Sequence, residues 1–359
     1  MTLSAEFSDG HIALGRDGET FDVHPFWLRD NCPCALCRHP QTNQRLITVL
    51  SLDPATIPAE LSVAGDDLQV VWHPDGHKST YSSSWWDEII AGEPGERVLW
   101  DSGLSVDDVR VQHGAPNESA LVADLLFSHG VALVRGIGSE RGSVLTYAER
   151  IGYVRETNYG RLFDVEAVAD PEHLAYTGVA LALHTDNPYR RPVPGLQLLH
   201  CLESSAEGGE TVLLDGFRAA TELCAIDGPA FEVLTKLPAS FRYRDSVCDL
   251  REKVPLIRVN EDGLLHAIHF NDRSMAPLEL SCEDITVFYA AYRAFAERIA
   301  SQRLRLELRL EPGDILLFDN ERVLHGRKAF SLATGRRHLQ GCYADRDAYG
   351  SYRRRHRIG

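Results

Sequence analysis

A strict two-residue alternation near the C-terminal end constrains this chain more than any other feature. From Arg303 to Leu310 the residues run RLRLELRL, charged and apolar in turn. Successive side chains of an extended strand point to opposite faces, so this octet reads as a half-buried antiparallel strand. A Pro-Gly-Asp turn leads into the apolar run ILLF (315–318), and RHLQGCYAD (337–345) follows as another alternating strand. Upstream, GLQLLHCLE (195–203) and ETVLLDG (210–216) give two more apolar strands around a Gly-rich turn.

Helices punctuate this series. Asn117 to Ser128 (NESALVADLLFS) reads as a capped helix, followed by the strand VALVRGI. Residues 282–301 read as an amphipathic helix with Ile285, Phe288, Tyr289, Tyr292, Phe295 and Ile299 on one stripe. Many antiparallel strands with a few packing helices imply a mainly β fold with a double-stranded β-helix, or jelly-roll, core. The first hundred residues have another texture. Short runs such as HIAL, ITVL and LQVVW read as strands broken by DG, DP, GDD and HPDGH turns. The character changes around GEPGERVLWDSG, which divides the chain into a small β-rich domain, 1–95, and a larger one, 103–359.

The net charge of −15 argues against a nucleic-acid partner, which needs clustered Lys and Arg. No stretch reaches the roughly 18 apolar residues that span a bilayer, so no membrane association is expected. The first residues lack a basic head and an apolar run, which makes the cytoplasm the expected compartment. In that compartment the eight cysteines are not read as disulfides. Five of them (Cys201, Cys224, Cys248, Cys282, Cys342) are scattered, mostly in apolar surroundings, and read as inert core thiols.

Two groups of residues carry metal chemistry. LALHTDNPY places His184 and Asp186 two apart, so an extended chain turns both toward one ion. FDNERVLHGR adds His325 just after the apolar strand ILLF. Two imidazoles and one carboxylate, with the remaining positions open, suit non-haem Fe(II). An H-x-D arises about once by chance in a chain with 15 histidines, and His73-Pro74-Asp75 is a second one, set in a turn without a matching distal histidine. The constellation therefore needs its next member. The last alternating strand puts Arg337, Leu339, Gly341 and Tyr343 on one face, so Arg337 can point into a barrel whose wall Gly341 has cleared. A guanidinium is the strong way to hold a carboxylate. Separately, Cys32, Cys34 and Cys37 have the spacing C-x-C-x2-C, compact enough for one tetrahedral zinc ion. The fourth ligand must come from elsewhere, with His39, His73 and His77 as candidates.

HTDNPYR, GGETVLLDG, FDNERVLHGR and GRRHLQGCYADRD together resemble the γ-butyrobetaine hydroxylase branch of the taurine-dioxygenase-like Fe(II)/2-oxoglutarate oxygenases, and WLRDNCPCALC resembles that branch's N-terminal domain. By position, the resemblance makes His184, Asp186 and His325 the iron ligands. It makes Arg337 the anchor of the 2-oxoglutarate cosubstrate, assisted by the Thr211 hydroxyl, and His77 the fourth ligand of a structural zinc. It places Tyr159, Phe163, Tyr176 and Tyr343 on an aromatic cage for a trimethylammonium group, which accepts no ordinary hydrogen bond. Asn187, Tyr189, Asn271 and Arg273 are candidates for gripping the substrate's anionic end. His173 stands where butyrobetaine hydroxylases can carry an asparagine contacting the carboxylate. The implied reaction is hydroxylation of a small quaternary ammonium acid with O₂, γ-butyrobetaine first. 2-(Trimethylamino)ethylphosphonate and free trimethyllysine are the alternatives. The family suggests a homodimer.

Overall fold

The four leucines of the alternating octet, Leu304, Leu306, Leu308 and Leu310, all turn inward and are buried, while Glu307 and Arg309 face solvent. This is seen in a computed structural model that describes residues 3–16, 18–90, 95–166 and 177–356. The strand Arg305–Leu308 pairs with Thr211–Asp215, which pairs with Val323–Arg327, which pairs with Leu181–His184. These four antiparallel strands form a minor sheet.

The major sheet runs Phe163–Glu166, Arg337–Ala344, Leu196–Ser204, Ile315–Asp319, Val131–Arg135 and Arg110–Gln112, with Val154–Arg155 also on Arg337–Ala344. All its pairs are antiparallel except the last, Arg110–Gln112 with Val131–Arg135. Leu199, Leu316, Phe318 and Leu339 of the major sheet share one core with Leu213, Leu306, Leu308 and Val323 of the minor sheet. Strands Ile315–Asp319 and Arg337–Ala344 are buried on both faces. Their outer sides are covered by helices Glu118–Ser128, Ser143–Ala148 and Asp347–Arg355. A further cluster under Gly216–Ile226, Gly228–Lys236 and Cys282–Ala300 includes Val212, Leu214 and Leu324 of the minor sheet. The architecture is the expected double-stranded β-helix.

The chain divides into two compact units, Met1–Gly95 and Glu96–Gly359. The first has two three-stranded antiparallel sheets around Ile12, Leu14, Leu28, Leu68, Val70, Trp72, Tyr81 and Trp86. Within the second, Trp100 is buried, its backbone N–H on Asp215 Oδ2 (3.2 Å) and its indole N–H on the His129 carbonyl (2.7 Å). No helix among the described residues is long and apolar enough to cross a membrane.

Several local expectations need correction. ITVL is no strand: Val49–Ser51 is a single 3₁₀ turn, closed by a Thr48–Ser51 capping box, with Val49 and Leu50 exposed. Asn117 does not cap its helix through its side chain, because its backbone is left-handed at φ 57°. Glu118 instead ties the preceding turn to the helix start, accepting from the Gly114 N–H at 2.8 Å. On helix Cys282–Ala300 the stripe holds at Phe288, Phe295 and Ile299, but Tyr289 lies on its flank and is exposed. Of the scattered cysteines only Cys201 and Cys342 are buried, whereas Cys224 and Cys282 are exposed on helices.

Candidate active site

His184 ends its strand directly opposite His325, and the two imidazole rings sit 4.3 Å apart. Asp186 lies two residues past the strand end, with Oδ1 3.3 Å from His184 Nε2 and Oδ2 3.6 Å from His325 Nε2. Bonds of about 2.1 Å at right angles set neighbouring donors about 3 Å apart, so the three fit one face of an octahedral ion. The Ala182 carbonyl lies 2.8 Å from His184 Nδ1 and can only accept. Nδ1 therefore carries the proton, and the Nε2 lone pair is left for a metal. Burial pushes the His184 imidazole down to about 4, so it is neutral at pH 7. Burial alone would raise Asp186, but the neighbouring His325 and His184 hold its carboxyl well below the usual carboxylate range. A neutral imidazole and an ionised carboxylate are the forms a divalent cation binds. Tyr343 donates its hydroxyl to Asp186 Oδ2 at 2.8 Å.

The three residues line a cavity of about 340 Å³ that also contains Arg337 and Thr211. Arg337 is buried, its Nε donating to the Gly209 carbonyl at 3.0 Å, and no carboxylate of the described residues lies within ion-pair distance of it. Burial lowers it to about 10. It remains a cation at pH 7, which suits it to an incoming carboxylate. The GGET turn is shaped by this approach. Gly209 sits at φ 76°, and a Cβ there would come within 2.8 Å of Arg337 Cδ. Arg327, paired across from Thr211, lines the same cavity but is engaged by the carbonyls of Thr177 and Val179 at 2.6 and 2.7 Å.

An aromatic wall crosses the cavity. Ring centroids run Tyr343 to Phe163 at 5.1 Å, Phe163 to Tyr159 at 6.2 Å, Tyr159 to Tyr243 at 5.9 Å and Tyr243 to Tyr189 at 5.2 Å. The space at Gly341 is not open as expected. The paired Phe163 ring fills it, so that a Cβ on Gly341 would come 2.5 Å from the ring. Tyr176 and His173 lie outside the described residues. Asn187, Tyr189, Asn271 and Arg273 all line the cavity. Asn187 accepts the Tyr189 hydroxyl at 2.6 Å, and its buried Nδ2 has no partner among the described residues. Asn271 spends its Nδ2 on the Thr185 carbonyl at 2.9 Å, and its Oδ1 has no partner among the described residues.

Sequence reasoning missed Tyr243, Arg242, Arg244 and Gln197, which also line the cavity. The first three come from a hairpin, Pro238–Arg244 with Asp249–Pro255, that belongs to neither barrel sheet. Alternation in ASFRYR was the available signal, since Ala239 and Phe241 are buried and Tyr243 shares their face.

The second cluster is in the N-terminal unit. His77 Nε2 lies 3.3, 3.5 and 3.6 Å from the sulfurs of Cys32, Cys34 and Cys37. Zinc bonds of about 2.0 Å to nitrogen and 2.3 Å to sulfur set tetrahedral neighbours about 3.5 Å apart, so the four donors fit zinc. His39 and His73 do not join them: His39 accepts from Thr42 within its own turn, and His73 is exposed. Asp75 of the rejected H-x-D supports this cluster instead. It accepts the His77 backbone N–H at 3.0 Å and pairs with Arg29 at 2.9 Å, and Arg29 also reaches Cys37 Sγ at 3.4 Å.

Comparison with known proteins agrees with this reading. Residues 97–343 match the family model described as taurine catabolism dioxygenase TauD, TfdA family, and residues 2–86 match that of gamma-butyrobetaine hydroxylase-like, N-terminal. A gamma-butyrobetaine dioxygenase of Pseudomonas sp. (strain AK-1) is 38% identical, with 97% of this chain and 94% of that protein covered. A mitochondrial trimethyllysine dioxygenase of Gallus gallus is 32% identical, with 89% and 80% covered. Among solved structures, a taurine dioxygenase from Burkholderia xenovorans shares the fold at a TM-score of 0.52 and 14% identity, with 70% of this chain and 93% of that one covered. Fold, donor set and relatives together define an Fe(II)- and 2-oxoglutarate-dependent dioxygenase. The chain belongs to the taurine catabolism dioxygenase TauD, TfdA family, in its γ-butyrobetaine hydroxylase branch.

Proposed function

We propose that the protein hydroxylates a small trimethylammonium acid, γ-butyrobetaine first, with His184, Asp186 and His325 as iron ligands. Arg337 and Thr211 hold the distal carboxylate of 2-oxoglutarate. Bound iron and 2-oxoglutarate supply the oxidising power, the cosubstrate leaving as succinate and CO₂ while one oxygen atom of O₂ enters the substrate C–H bond. The observation that carries the substrate class is the five-ring wall ending in Tyr343, whose hydroxyl is on Asp186. Aromatic faces attract a cation that offers no N–H, and such contacts strengthen once water is excluded. A trimethylammonium group seated there lies next to the proposed iron ligand, so a C–H bond a few atoms along the chain is held beside the metal. The Asn187 amide and Arg273, which line the same cavity, are assigned to the acid end. Cys32, Cys34, Cys37 and His77 hold a structural zinc.

Two other substrates have support. Free trimethyllysine is favoured by the trimethyllysine dioxygenase among the relatives. 2-(Trimethylamino)ethylphosphonate is favoured by Arg244 and Arg273 on one cavity, two positive charges for a dianion, while Arg242 on the same wall is paired with Asp249. Purified protein with Fe(II) and 2-oxoglutarate is incubated with each compound, and succinate and hydroxylated product are measured. γ-Butyrobetaine is expected to give both in equal amounts. Succinate at background with all three would end the proposal.

A further inference from the structure

Asp186 has left the sheet. The strand that carries His184 stops at that residue, and its ladder with Val323–Arg327 is already irregular between Leu181 and His184. Among the described residues, no strand pairing therefore fixes the backbone from which the proposed carboxylate ligand projects. The fully buried Asn320 does so instead. Its Oδ1 accepts the Asp186 N–H at 2.7 Å, and its Nδ2 donates to the Asp186 carbonyl at 2.9 Å and to the Pro194 carbonyl, also at 2.9 Å. One carboxamide thus pairs with both peptide groups of a single residue, as a neighbouring strand would, and holds both of its backbone torsions. Asn320's own N–H is bound to the Gly195 carbonyl at 2.9 Å.

The position of Asn320 in the chain adds to this. It sits in the turn between strands Ile315–Asp319 and Val323–Arg327, five residues before His325. One short segment therefore supplies a histidine of the triad and the clamp on the aspartate, so the spacing between the two ligands is set by local geometry. Thr185, on the other side, is held by Phe270 and Asn271. Its N–H reaches the Phe270 carbonyl at 2.8 Å, its hydroxyl accepts the Phe270 N–H at 3.0 Å, and its carbonyl accepts Asn271 Nδ2. Metal ligands need to be held to within about 0.5 Å to be effective, and outer partners of ligands are worth about 10- to 100-fold in metal affinity.

We infer that Asn320 is the positioning residue for the iron-binding aspartate, acting through the backbone of Asp186. The inference rests on the triad assignment made above. Metal-free protein, with its zinc cluster loaded, is titrated anaerobically with Mn(II), and free Mn(II) is counted by electron paramagnetic resonance. Asn320→Ala is expected to raise the Mn(II) Kd about tenfold or more, and to release succinate in excess of hydroxylated product. Gln340→Ala is the matched control. Gln340 is equally buried and bonded to the Gly142 N–H and to Asp164, contacts that involve no triad residue, and its variant is expected to keep the wild-type Kd. Should the alanine variant be recovered unfolded, Asn320→Ser goes through the same titration under the same criterion. Wild-type affinity in the Asn320 variant, or an equal loss in Gln340→Ala, overturns the inference. If wild type and His325→Ala bind Mn(II) alike, the triad assignment has failed instead.

Discussion

The two metal-ligating clusters among the described residues are built on opposite plans. In the N-terminal unit, three sulfurs from six consecutive residues and one imidazole from a turn close a tetrahedron. In the barrel, two imidazoles from paired strands and a carboxylate just past the end of one of them are spaced to take one side of an ion, and the other side faces a cavity. The closed set leaves no position for a reactant and suits holding a small fold together. The open set leaves room for a cosubstrate, and a buried arginine with no carboxylate partner among the described residues lies in the same cavity. Ligand number and surroundings, rather than the presence of a metal, separate structure from chemistry.

The comparison breaks most sharply at the triad. His184→Ala or His325→Ala is expected to reduce succinate formation to background while the zinc content stays at one per chain, measured by elemental analysis. Retained turnover would mean that the iron is held elsewhere. Removal of the Cys34 thiol should do the reverse, releasing zinc and melting the N-terminal unit while barrel residues keep their Mn(II) affinity.

Acidification separates the clusters without mutation. In the metal-free cluster, burial pushes Cys32 up to about 12 and also raises Cys37, so zinc must displace protons from both near neutrality. Zinc affinity should therefore fall by up to about 100-fold for each unit drop in pH, two thiols contributing about tenfold each. His184 is already neutral above about 4 and Asp186 already ionised, so neither releases a proton when the triad binds its metal. Competition against a chelating dye from pH 8 to 6 should give the steeper slope for zinc. Equal slopes would remove the distinction.

Within the open site the effects are smaller. Arg337→Ala should raise the KM for 2-oxoglutarate about 10- to 100-fold, the worth of buried charge-assisted hydrogen bonds, with substrate KM nearly unchanged. A change confined to substrate KM would reassign the residue. Tyr243→Leu should raise the KM for the quaternary ammonium substrate about 2- to 30-fold, and leave that for 2-oxoglutarate alone. No effect would shorten the aromatic wall to Tyr159, Phe163 and Tyr343.

How much of this was legible in the sequence follows from how local each feature is. The cysteine triplet, the H-x-D and the last strand are written in short spacings, and the structure brings those residues together. His77 needed the resemblance, since spacing left His39 and His73 open. Alternation in ASFRYR puts Tyr243 on the buried face of its hairpin, but that the hairpin meets the cavity is decided by tertiary packing, which no spacing encodes. Asn320 was hidden differently. It stands inside the quoted motif FDNERVLHGR, yet its work is done on a backbone 134 positions away, which no spacing announces. ITVL misled because its β-prone residues find no partner strand among the described residues, and Val49 and Leu50 fall in a turn with their side chains exposed.

The seating of Phe163 over Gly341 makes one wall of the pocket a removable plug. Because the floor beneath it carries no side chain, trimming that ring to valine would open a bay down to the sheet itself, with no backbone needing to move. Bulkier quaternary amines, a triethylammonium acid for example, would gain a berth at that spot while the trimethyl compound lost contact. A reversal of preference between the two, read as a ratio of kcat/KM values, would show the enzyme's selectivity to be tunable at a single position.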